Sequence, residues 1–238
     1  MRKKGPGKTP LILLPGLLCD GALWRHQVEG VSDIVDPRVA DLSHDDTMNG
    51  MASAVLATAP ERFALAGLSM GGYVAQEIMR LAPQRVSRLA LLDTSWRADT
   101  PEQKKRRMDF IAMSRLGKFK GVTDRLMPLL IHPDRLTDKK LTSTIKKMAE
   151  RIGKDSFVFQ QNAIMGRSDG ARDLGRIQCD TLVLCGRQDA LISFDLHREM
   201  AAKIPHSTLS VIENCGHLST LERPEAVNAA LRDWLLRE

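Results

Sequence analysis

One serine in this chain stands between glycines at a spacing suited to a nucleophile: Gly67-Leu68-Ser69-Met70-Gly71, with Gly72 directly after. A serine hydroxyl attacks poorly at neutral pH, so it needs an imidazole to take its proton and a carboxylate to orient that imidazole. Of the six histidines, His217 in Cys215-Gly216-His217 follows the last apolar run. His197 and His206 fall on or beside the preceding helix, and His26, His44 and His132 come too early in the chain. Two aspartates end apolar runs after Ser69. Asp189, in Gly186-Arg187-Gln188-Asp189, is the preferred acid; Asp93, in Leu91-Leu92-Asp93, stays open as the alternative. Charge developing on a carbonyl oxygen needs N–H donors aimed at it. The backbone N–H of Met70, directly after the serine, is one candidate, and that of Leu17 in Pro15-Gly16-Leu17-Leu18 is the other. These residues together describe acyl transfer: Ser69 attacks a carbonyl, the leaving group departs, and water activated by the same histidine releases the acid.

Such a site works only if secondary structure delivers its parts to one place. Arg62 to Ala66 reads as a strand that carries the chain into Gly67, and Met70 to Leu81 reads as a helix with Val74, Ile78 and Leu81 on one face. A nucleophile on that strand–turn–helix bend is lifted above the strand ends, and side chains at positions 67 and 71 would collide with the turn. The helix N-terminus points free N–H groups at the site. The remaining strands are Pro10 to Leu14, Asp33 to Ala40, Val86 to Leu92, Thr181 to Cys185 and Thr208 to Ile212. Helices are expected over Met48 to Ala59 and Asp195 to Ile204, and from Pro224 onward with Val227, Leu231, Trp234 and Leu235 buried. Six strands alternating with helices predict an α/β fold with a mostly parallel sheet covered on both faces.

The middle of the chain breaks the alternation. Residues 98–174 lack strand-like runs and read as an all-helical insert, a lid, dividing a core made of residues 9–97 and 175–238. Thr100-Pro101-Glu102-Gln103 is a capping box with proline at the first helical position, and Met108, Ile111 and Ala112 give that helix an apolar face up to Gly117. A second helix is marked by Val122, Leu126, Leu129 and Leu130, a third by Leu141, Ile145, Met148 and Ile152 up to Gly153, and a shorter one spans Asp155 to Met165. Residues 1–8 are basic and rich in Gly and Pro, and read as a flexible tail.

The net charge of +6 comes from this insert: Arg97 to Ile177 holds 19 Lys and Arg against 10 Asp and Glu, while the rest is acidic by three. No finger, RNP-like aromatic motif or Gly-rich clamp accompanies it, so nucleic acid is not an expected partner; anionic substrates or carriers are the sharper reading. The four cysteines form no CxxC pair and no metal-ligand spacing, and no run is long enough for a membrane span or an export signal. A protein of the cytoplasm with free thiols is expected.

The chain resembles the α/β-hydrolase superfamily, in particular its compact esterase, lactonase and methylesterase branch. The resemblance runs through Leu14-Pro15-Gly16-Leu17, Gly67-Leu68-Ser69-Met70-Gly71-Gly72, Leu182-Val183-Leu184-Cys185-Gly186-Arg187-Gln188-Asp189 and Gly216-His217-Leu218…Glu222-Arg223-Pro224-Glu225. It departs in three places: Pro15 replaces the histidine that commonly precedes the oxyanion glycine, Ser193 replaces a proline after the acid turn, and the usual first hairpin is missing, leaving six strands of eight. The resemblance implies a carboxylic-ester hydrolase needing no metal or organic cofactor. Acyl thioesters and lactones follow as alternative substrates, and a ligand-sensing signalling protein with slow turnover is the alternative from another class. Leu17, Leu18, Trp24, Trp96, Met108 and Ile111 are the candidate pocket residues.

Overall fold

The computed structural model describes residues 8–117 and 119–237. The expected basic tail, apart from Lys8, lies outside the described residues. Six strands form one parallel sheet: β1 (Thr9–Leu14), β2 (Val35–Val39), β3 (Phe63–Leu68), β4 (Val86–Leu92), β5 (Asp180–Gly186) and β6 (Ser207–Ile212), in spatial order β2-β1-β3-β4-β5-β6. Alternate side chains go to opposite faces. In β1, Leu11 and Leu13 join one core while Ile12 and Leu14 join the other. Both faces are buried, which is why the central strands read as unbroken apolar runs. Each fully buried Leu, Ile or Val contributes about 1.5–3 kcal/mol.

The first core is closed by α1 (Arg25–Val31) and a C-terminal helix (Pro224–Leu236) through Val31, Val227, Leu231 and Trp234. The second is closed by α2 (Met48–Thr58), α3 (Met70–Leu81) and a helix at Phe194–Lys203, through Met51, Val55, Val74, Ile78 and Met200. The chain reverses its direction of travel across the sheet between β1 and β3, which are neighbours. In parallel sheets the crevice at the carboxyl ends of such strands is where ligands bind.

Between β4 and β5 the chain is helical: α4 (Pro101–Leu116), α5 (Met127–Leu130) and α6 (Lys139–Gly166). After β5 come α7, the helix Phe194–Lys203 already met, then α8 (Ser219–Glu222) and α9, the C-terminal helix Pro224–Leu236. The capping box at Thr100 forms as expected. The two helices expected on either side of Gly153 are continuous in α6 but bent there, where Gly153 takes φ 76°.

Two expectations are corrected. The helix expected over Val122 to Leu130 shrinks to Met127–Leu130, because Pro128 can sit only in a first turn and bars continuous helix upstream of it. Of the apolar face expected on α4 only Ile111 is buried: Met108 is 54% exposed and Ala112 is exposed, and Ser114 is the other buried residue. Arg107 takes the inward place because its guanidinium pairs with the buried Asp99 (2.6 Å) and donates to Gln161 (2.8 Å).

Candidate active site

Ser69 lies between β3 and α3 with φ 55° and ψ −115°, a conformation that costs a residue with a side chain. The bend is held from several sides. Ser69 donates its N–H to Leu92 O (2.9 Å), while its own carbonyl accepts from Gly72 N (2.9 Å) and from Thr94 Oγ1 (2.8 Å). The glycines are required by contact: a Cβ on Gly67 would lie 2.3 Å from the Gly71 carbonyl oxygen, and one on Gly71 would lie 2.1 Å from the Leu14 carbonyl oxygen. Gly72 packs against Thr94 in the same way.

His217 follows β6, and its Nε2 lies 2.9 Å from Ser69 Oγ. Its Nδ1 lies 2.8 Å from Asp189 Oδ2, and the other oxygen of that carboxylate accepts the N–H groups of Leu191 (2.8 Å) and Ile192 (3.0 Å). Burial alone would lower the His217 pKa. The charge and hydrogen bond of Asp189, with Asp93 and Glu222 nearby, outweigh it and hold the imidazole above its ordinary value. The three side chains thus form one hydrogen-bonded row, with Asp189 ending it.

Asp93 takes a different place. With φ 46° its carboxyl turns toward Gly186 N (2.9 Å) and Ser219 Oγ (2.5 Å) rather than to the histidine. Burial and the neighbouring Asp189 charge push its pKa up to about 8, against the opposing pull of His217 and of the bonds from Ser219 and Gly186. A further buried carboxylate, Glu222, accepts Gly216 N–H at 2.9 Å with one oxygen and His132 N–H at 2.7 Å with the other. It therefore joins the turn that carries His217 to the segment that follows α5. Leu218 N–H, donating to Leu130 O (3.0 Å), makes a second tie at the same seam.

The turn after β1 passes directly beside the nucleophile: a Cβ on Gly16 would lie 3.4 Å from Ser69 Cβ. Cys19 N–H closes this turn on Gly16 O (3.1 Å), and Leu18 takes φ 58°. Met70, as the first residue of α3, carries one of the N–H groups that a helix leaves without an intrahelical acceptor. The structure thus brings Ser69, Asp189, His217, Met70 and the turn bearing Leu17 and Leu18 to the carboxyl ends of the strands.

The other candidate pocket residues do not gather there. Trp24 is fully buried in the first core, turned inward at the start of α1, a helix the sequence did not announce. Trp96 is buried in the second core and lines a narrow cleft with Tyr73, Gln76 and Arg167. Met108 is exposed on α4, and Ile111 faces inward from it. A depression of about 570 Å³ lined by Arg62, Arg88, Asp180 and His206 lies at the amino ends of the strands, the far side of the sheet from Ser69.

Sequence reasoning passed over three polar residues that shape the site. Thr94 and Ser219 gave no signal beyond being small hydroxyl residues. Gln160 gave one, as one of two adjacent glutamines, with Gln161, buried in α6 among apolar residues. Among the described residues no group of three or more His, Cys, Asp or Glu is placed to hold a metal ion, and no helix is long and apolar enough to cross a membrane. All four cysteines are free thiols.

Known proteins share this architecture. The model of the family described as "Alpha/beta hydrolase family" matches residues 11–230. The pimeloyl-[acyl-carrier protein] methyl ester esterase of Vibrio parahaemolyticus is 26% identical, over 96% of this chain and 95% of that protein. A thermophilic esterase from Thermogutta terrifontis superposes with TM-score 0.86 at 29% identity, over 96% of this chain and 90% of that one. The enol-lactonase of Burkholderia xenovorans LB400 superposes with TM-score 0.86 at 22% identity, over 98% and 93%, a likeness of fold.

Proposed function

Because the chain belongs to the α/β-hydrolase family, we propose that it hydrolyses carboxylic esters through an acyl-enzyme on Ser69. The observation that carries this reading is the row Ser69 Oγ–His217 Nε2–Asp189, at 2.9 and 2.8 Å. His217 takes the hydroxyl proton as Ser69 attacks the ester carbonyl. Asp189 keeps the Nδ1 proton in place and stabilises the imidazolium that forms. The N–H groups of Met70 and Leu17 receive the charge on the carbonyl oxygen. His217 then passes its proton to the leaving alcohol, and water attacks the acyl-enzyme with the same histidine as base. The helical segment 98–174 is the lid over this site, reaching the turn that bears Leu18 through Gln160. The esterases among its relatives support an ester as the substrate.

An acyl thioester or carrier-borne ester is the second reading, favoured by the 19 basic against 10 acidic residues between Arg97 and Ile177. A fluorophosphonate should label Ser69 covalently, and Ser69→Ala should abolish both labelling and turnover of p-nitrophenyl esters. A panel of esters, thioesters and lactones ranks the substrate classes by kcat/KM. Negligible turnover across the panel, with tight ligand binding, would overturn the enzyme in favour of a sensor.

A further inference from the structure

Two guanidinium groups of the helical segment share a single carboxylate. Arg107 Nε lies 2.6 Å from Asp99 Oδ2, and Arg167 Nη1 lies 2.8 Å from Asp99 Oδ1. The Asp99 side chain is fully buried and that of Arg167 nearly so. Among the described residues neither guanidinium pairs with another carboxylate, so the trio keeps one positive charge unmatched in a buried place.

Two further side chains add donors to it. Gln161, 2% exposed, accepts from Arg107 Nη1 at 2.8 Å through Oε1, while its Nε2 has no protein acceptor among the described residues. Tyr73, 8% exposed, holds its ring 4.3 Å from the Arg167 guanidinium carbon, and its hydroxyl likewise has no protein partner among the described residues. Both atoms meet open space rather than packed protein. The acceptors of the cluster, Asp99 and Gln161 Oε1, are already engaged, and what it offers is donors around a surplus positive charge.

This cluster is joined to the surroundings of Ser69 on two sides. Tyr73 stands one turn along α3 and donates its N–H to Ser69 O at 3.3 Å. Burial raises the Tyr73 pKa, which keeps the hydroxyl a donor. The charges acting on it come from Arg167, Arg107 and Asp99 in the helical segment and from Asp189 in the catalytic row. On the other side Gln160, next to Gln161, accepts the N–H of Leu18 on the turn that passes beside Ser69. Ser69 itself is only partly buried.

We propose that Arg107, Gln161 and Tyr73 form a subsite for a carboxylate carried by the substrate, so that the preferred esters bear a second, anionic group. This rests on the hydrolase reading above and narrows its substrate class. A guanidinium, an amide N–H and a phenol match the two oxygens of a carboxylate, whose charge would balance the cluster.

The test uses pairs of esters that differ only in a terminal carboxylate. Monomethyl glutarate against methyl valerate places it on the acyl side, and 4-acetoxybutanoate against butyl acetate places it on the alcohol side. In at least one pair the wild type should favour the anionic ester about tenfold or more in kcat/KM. Tyr73→Phe removes a hydroxyl that no protein group uses, and should reduce that preference about fivefold or more. Gln161→Glu can still accept from Arg107 but cancels the surplus charge, and should reduce it at least as far. Equal or better turnover of the neutral ester in both pairs, or a preference that survives either variant, would overturn the subsite. Neutral esters turned over without any anionic preference would leave the hydrolase reading standing and sink this one alone. If a fluorophosphonate does not label Ser69, the hydrolase reading fails first.

Discussion

Exchanging Asp189 for Asn alters a single oxygen, and the surrounding backbone dictates which one. Asp189 Oδ1 accepts two N–H groups, from Leu191 at 2.8 Å and Ile192 at 3.0 Å. The amide oxygen of Asn must stay there, which sends its NH₂ to the position 2.8 Å from His217 Nδ1. Nδ1 must then accept, and the ring proton moves to Nε2, which faces Ser69 Oγ at 2.9 Å. In that tautomer the imidazole has no lone pair for the serine proton. A serine triad locked in the wrong tautomer loses about 10⁴ in kcat. At about 1.4 kcal/mol per decade this raises the barrier by about 5–6 kcal/mol. Asp93→Asn is the matched control. Its oxygen can keep Gly186 N–H, its NH₂ can donate to Ser219 Oγ, and neither contact reaches His217. For that variant kcat should stay within about threefold. Initial rates on p-nitrophenyl acetate at pH 7 separate the two. If Asp189→Asn keeps more than about a tenth of wild-type kcat, or Asp93→Asn falls as far as Asp189→Asn, the assignment of the acid is wrong.

The pH profile follows from the same geometry. The base must be neutral to act, and Asp189 holds the His217 pKa above its ordinary value, so kcat/KM should rise with pH through a midpoint above about 6.5. A midpoint at or below that value would contradict the pairing. A group raised in this way stabilises the folded state at low pH and loses that contribution as pH rises through the folded value. Glu222→Gln should destabilise the fold by about 1–3 kcal/mol, because both carboxylate oxygens accept backbone N–H groups and an amide can serve only one. Thermal melting should show a drop of about 2–10 °C, and an unchanged Tm would mean that the seam between the His217 turn and the segment after α5 bears no load.

The strand–turn–helix around Ser69 was legible because its cause is local. Steric demands at Gly67 and Gly71 arise within a few residues and from β1 next door, so they leave a sequence mark. The acid was legible only as a pair. Asp93 and Asp189 follow adjacent strands, and which carboxyl reaches the histidine follows from partners distant in sequence, Gly186 and Ser219 for Asp93 and His217 for Asp189, that no residue type announces. The helical segment was harder still. Its periodicity was read from hydrophobic residues, whereas the inward face of α4 is partly set by the Arg107–Asp99 ion pair, so Met108 was placed inside and lies outside. Gln160 acts through backbone groups 142 and 118 residues away, and long-range contacts of that kind leave no local pattern.

The seams at Glu222, Leu130 and Gln160 bear on how such a protein can be recombined. Helical segments inserted at one junction of a sheet invite exchange between relatives as a way to change specificity. Here the segment is tied to its scaffold through directional bonds from Gln160 to Leu18 and Leu42, from His132 to Glu222 and between Leu130 and Leu218, as well as through the two covalent junctions. A chimaera that imports foreign helices without an acceptor for Leu18 N–H and a carbonyl for Leu218 N–H would arrive with a sound sheet and an unset catalytic centre. The unit of exchange is therefore the helices together with the turns they grip.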